Sequence, residues 1–95
     1  MQQIIHDSKQ DSVTHEAQIK SVNIAMRDGD ASLAAILLGQ VVRTKNVSKL
    51  SRGINMSREG LYKALSAKGN PSFSVMMKIA SELGLTFTLI KSEKE

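Results

Sequence analysis

Arg58, Glu59, Tyr62 and Lys63 stand within "SREGLYKALS", residues 57–66, at the one-, three- and four-residue intervals that gather side chains on one side of a helix. A guanidinium, a carboxylate, a phenol and an ammonium displayed together suit recognition of a nucleic acid duplex. Arg58 is the candidate for guanine, because its planar fork meets O6 and N7 together. Glu59 can accept from cytosine N4 or orient Arg58. Tyr62 and Lys63 can reach bases or phosphate, and Ser57 completes the set of candidate base contacts. Lys45, Ser48, Lys49, Ser66, Lys68 and Asn70 flank this group and are candidate phosphate contacts, which supply affinity without reading sequence. Each has a plainer alternative: Arg58 and Glu59 as a solvated helix start, Tyr62 as a ring laid over the core edge, and Gly69-Asn70-Pro71 as a turn that redirects the chain.

Other chemistries find little support. His6 and His15 lie nine apart with no third ligand at metal spacing, so no metal site or cofactor is expected. The serines fall at helix-cap positions and neither histidine stands beside one in a recognisable motif, so an enzyme is not expected. Cysteine is absent, which excludes disulfides and thiolate zinc sites and fits a reducing, cytoplasmic setting. The longest apolar run, Leu33 to Leu38, is far shorter than the roughly 20 residues of a membrane span. Asp7 and Asp11 stand where a signal peptide would be basic and then apolar, so a soluble, unexported chain is expected.

The net charge of +4 is unevenly placed. Residues 43–68 hold Arg43, Lys45, Lys49, Arg52, Arg58, Lys63 and Lys68 against Glu59 alone, a surplus of +6. Residues 1–42 sum to −2 and the remainder to zero. The whole surplus therefore surrounds the candidate contacts, as a polyanion-binding stripe requires, although a solvated basic face reads the same way.

The elements that must position these residues follow from period and punctuation. With 95 residues, 41% hydrophobic and 3% aromatic, one small domain with an aliphatic helical core is expected. Residues 1–13 show no sustained period and read as a flexible arm, leaving 14–95 as the domain. A first helix should open at Thr14, turn Ile19, Val22 and Met26 inward and stop at Gly29. Asp30 should cap a second, nearly all-apolar helix in "ASLAAILLGQVVRTK", the most buried element. Asn46 ends that helix or caps a third carrying Val47, Leu50 and Ile54. Asn55 takes a turn position where positive φ is expected. Ser57 caps a fourth helix, with Met56 and Leu61 as a hydrophobic staple and Leu61, Ala64 and Leu65 facing inward. Gly60 within it weakens the helix or marks a close approach to DNA backbone. Ser72 caps a fifth helix, with Met76, Ile79, Ala80 and Leu83 inward and Gly84 as its stop. The alternation in Thr86, Phe87, Thr88 and Leu89 predicts a short C-terminal β-strand, which needs an edge to pair with. The third and fourth helices, spanning about residues 47–66, make a helix-turn-helix.

Residues 16–90 resemble the prophage-type helix-turn-helix addiction-module antidote proteins, antitoxins related to HigA. The likeness is carried by "LSRGINMSREGLYKALSAKGNPSF", "AMRDGD" and "MMKIASELGL". It departs at Ser51, where relatives usually have Ala, and at Asn55, where they have Gly. The resemblance implies an all-α, five-helix domain of the Xre or lambda-repressor type with the terminal strand. It also implies a cytoplasmic, usually dimeric repressor that binds a palindromic operator in double-stranded DNA, neutralises a RelE/ParE-like toxin and autoregulates its operon. The alternatives are a solitary phage or plasmid regulator without a toxin, and a protein-interaction module that does not bind DNA.

Overall fold

The computed structural model describes residues 2–93, with side chains described within 15–93. Five α-helices follow in order: α1 (Gln2–Arg27), α2 (Ala31–Arg43), α3 (Val47–Gly53), α4 (Arg58–Ala64) and α5 (Phe73–Glu82). The described residues are thus all-α, as expected from an aliphatic core with few aromatics.

Side-chain oxygens open four of the helices. Asp30 accepts from the Leu33 amide at 3.0 Å, Asn46 from Lys49 at 3.1 Å, Ser57 from Gly60 at 2.9 Å and Ser72 from Val75 at 3.1 Å. Each satisfies an amide that the first helical turn leaves without a partner. Three helices close in one way, with a left-handed residue and two backbone bonds reaching back into the last turn. After α1, Gly29 has φ 77°, and the amides of Gly29 and Asp30 donate to Met26 and Ala25. After α5, Gly84 has φ 77°, and the amides of Gly84 and Leu85 donate to Ser81 and Ala80. After α3 the left-handed residue is Asn55, φ 59°, and the amides of Asn55 and Met56 donate to Arg52 and Ser51.

The core is one aliphatic cluster. Leu38, Val41 and Val42 of α2 meet Val22 of α1, Leu50 of α3, Ile54, Leu61, Leu65 and Ile79. With Ala34, Ala35 and Gly39 also buried, α2 contributes the most buried residues, as its apolar circumference predicts.

Three expectations are revised. The first helix begins at Gln2, so Thr14 lies inside it instead of capping it, and 2–13 is continuous with α1. A polar composition does not stop a helix when no Gly or Pro occurs before Gly29. Met26 is exposed, and Ala25 joins Val22 inward instead, three residues apart on one face. No strand occurs among the described residues, and Thr86 to Leu89 carry no regular element. Alternation marks a segment able to pleat, but a ladder needs a second backbone. Phe87 rests instead against Phe73, ring centroids 5.8 Å apart, while Leu89 and Ile90 are exposed.

Substitutions at two positions test this framework. Asn55→Val places a β-branched residue at left-handed φ and should cost about 1–2 kcal/mol, whereas Asn55→Gly should be neutral or stabilising. Urea midpoints of the two variants provide the check, and equal midpoints would rule out the left-handed turn. A Cβ on Gly69 would collide with the carbonyls of Lys63 and Ala64, over which the chain folds as it leaves α4. Gly69→Ala should therefore cost roughly 1–3 kcal/mol, read as a melting temperature several degrees lower.

Candidate nucleic-acid interface

The helix that displays Arg58 is only seven residues long, too short to persist without tertiary support. Its support is one-sided. Leu61 is fully buried and Leu65 is 2% exposed, and Met56, just ahead of the cap, packs against the same cluster. Gly39 of α2 lies where a Cβ would come within 3.2 Å of the Leu65 Cβ and carbonyl oxygen, so the absent side chain lets α2 approach the end of α4. Ser51 of α3 is also buried. It is 7% exposed, and its Oγ donates to the Ser48 carbonyl at 3.1 Å, so a buried hydroxyl has a partner.

With Leu61 and Leu65 turned inward, Arg58, Glu59 and Lys63 are exposed, and Tyr62 and Ser66 are half-buried beside them. Arg58, Tyr62 and Ser66 follow one another at four-residue steps, and Glu59 and Lys63 form the adjacent row. The candidate base contacts thus share a face. Ser57 is exposed at its start, where its Oγ accepts the Gly60 amide and its own O–H remains available to donate. The Ser66 hydroxyl donates to the Lys63 carbonyl at 2.8 Å, which closes the end of the helix. Gly60 has an intramolecular reason to lack a side chain: a Cβ there would stand 3.0 Å from the Ser57 Oγ and crowd the cap.

Of the flanking candidates, Lys45, Lys49, Lys68 and Asn70 are exposed and Ser48 is half-buried. Lys45 and Lys49 stand at either side of the start of α3, and Lys68 and Asn70 in the segment that follows α4. Among the described residues no cation of 43–68 is joined to a carboxylate. Arg58 and Glu59 therefore point out without holding each other.

Arg43 reads in the sequence only as one of the basic charges of 43–68, and its position emerges from the fold. It ends α2, and its guanidinium carbon lies 5.0 Å from the centroid of the Tyr62 ring. The two residues are 19 apart in sequence, and no local spacing connects them. Only the packing of α2 on α4 brings them together.

No group of three or more His, Cys, Asp or Glu able to hold a metal occurs among the described residues, and no described helix is long and apolar enough to cross a membrane. No solved structure matches the chain. An uncharacterized protein of Haemophilus influenzae is similar to it, 38% identical over 81 residues, which is 84% of each chain. The family described as "probable addiction module antidote protein" matches residues 5–91. That span takes in all of α2 to α5 with nearly all of α1, and the chain therefore belongs to the addiction-module antidote family.

Proposed function

We propose that this protein is the antitoxin of a toxin-antitoxin module and a sequence-specific DNA-binding repressor of its own operon. The family supports the antidote role. The observation that carries the DNA role is the division of α4, whose Leu61 and Leu65 are buried while Arg58, Glu59 and Lys63 stand exposed amid cations that, among the described residues, no carboxylate neutralises. In this reading α3 and α4 form the helix-turn-helix of an Xre-like domain within 14–95. α4 lies in the major groove with its first residues at the base edges. Ser57, Arg58, Glu59, Tyr62 and Lys63 face bases, and Lys45, Ser48, Lys49, Ser66, Lys68 and Asn70 face phosphates.

The protein acts in the cytoplasm as a homodimer on a palindromic operator, whose half-sites lie about 34 Å apart. The "TFTLI" segment, unpaired within the described chain, forms its strand only against a second backbone. The partner is a RelE/ParE-like toxin, as in HigA-like modules of prophage type. These details extend the resemblance of the motif.

Binding to a promoter duplex should weaken steeply as salt rises, because each neutralised phosphate releases counterions. Arg58→Ala should cost about 1–3 kcal/mol on the cognate duplex and little on random DNA, whereas Lys49→Ala should weaken both alike. Fluorescence anisotropy of labelled duplexes measures these effects. A flat salt response would leave a protein-interaction module. Co-expression with the neighbouring gene should yield a stable complex; DNA binding without one would leave a solitary regulator.

A further inference from the structure

Arg43 stands outside the helix-turn-helix, yet its guanidinium lies over Tyr62, 5.0 Å from the ring centroid, on the face that also carries Arg58 and Lys63. Two features hold it there. The Tyr62 ring offers a negative π face to the cation. Gly39, one turn earlier on α2, lets that helix close on Leu65 at the end of α4, which brings the last turn of α2, and Arg43 with it, near Tyr62. A cation–π contact spends none of the guanidinium's N–H groups on a carboxylate or carbonyl. Among the described residues no carboxylate or carbonyl is paired with them, so five donors and a full charge are presented at the surface without a partner.

We propose that Arg43 is a further nucleic-acid contact, a phosphate clamp from α2 that Tyr62 holds in place; this rests on the DNA-binding reading above. Phosphate fits better than a base edge, because Arg43 ends α2 instead of lying along α4, the helix assigned to the groove. A planar fork matches two phosphate oxygens, and the ring contact settles in advance part of the rotamer freedom that an exposed arginine would lose on binding. Tyr62 would thus serve DNA binding through its ring face, whatever its hydroxyl touches.

The test is duplex binding by the full-length protein across a salt series, on cognate and random sequences, with melting temperatures measured in parallel. Arg43→Ala should weaken both duplexes roughly tenfold, the scale of one charge-assisted hydrogen bond. It should also reduce the slope of log K against log salt by about 0.9 per bound protomer. Arg43→Lys keeps the charge without the planar fork, so it should retain the slope and lose only part of the affinity. In a Tyr62→Leu background, Arg43→Ala should add no more than about twofold, whereas in Tyr62→Phe, which keeps a ring, it should cost its full amount.

A brace between α2 and α4 behaves differently. Arg43→Ala would then lower the melting temperature and leave the salt slope at the wild-type value, and that result overturns the clamp while DNA binding stands. Independent losses for Arg43 and Tyr62 overturn the platform. Failure of the wild-type protein to bind any duplex in a salt-dependent way removes the DNA reading itself, and the clamp with it.

Discussion

Burial of Leu61 and Leu65 is the constraint on which the presented face depends. A seven-residue helix gains too few internal hydrogen bonds to offset the entropy of ordering itself. Burying a leucine side chain is worth about 1.5–3 kcal/mol, so two of them on one side supply what the backbone of α4 cannot. The same burial sets its rotation. Once positions 61 and 65 point into the cluster with Leu38, Val41, Leu50 and Ile79, positions 58, 59 and 63 have nowhere to point but outward. Orientation of the basic face is therefore a consequence of core packing and needs no bond made by the basic residues themselves.

Burial fixes rotation but not the angle at which α4 leaves α3. That angle is held by backbone bonds on either side of Asn55, with Met56 donating to Ser51, and by Ser57 capping the next helix immediately afterwards. Gly29 and Gly84 close α1 and α5 in the same way at no steric cost. Asn55 accepts a modest strain, which a short polar side chain tolerates better than most. Ser51, whose carbonyl accepts the Met56 amide, is itself buried, and its hydroxyl is satisfied one turn back.

This explains which parts of the fold were legible in the sequence. Caps and stops are local chemistry, so Asp30, Asn46, Ser57 and Ser72 could be read from residue type and position, and so could Gly29, Asn55 and Gly84. The stripes of α3, α4 and α5 were legible because each has one buried side and a 3.6-residue period. Failures came where the deciding partner is distant or missing. Whether Met26 or Ala25 turns inward depends on where α2 crosses α1, which no window along α1 contains. The residues before Thr14 lack a period, and Thr14, a residue type able to cap, stands where the period begins although the helix is already under way. Alternation in "TFTLI" states what the segment can do beside a second strand, and the described chain provides none.

The pair Arg43 and Tyr62 shows the same limit at the candidate site. Tyr62 was open to two readings, a ring over the core edge or a group turned to the duplex. A half-buried tyrosine can do both, because its ring has two faces and a polar tip. Tyr62 is half-buried and its ring centroid lies 5.0 Å from the Arg43 guanidinium carbon, so a residue partly inside the fold also touches a charge contributed by α2. Stability and charge placement are then coupled through one side chain. Substitution of Tyr62 has to be interpreted through both, and the salt dependence of binding is the quantity that separates them, since loss of packing alone leaves the number of neutralised phosphates unchanged.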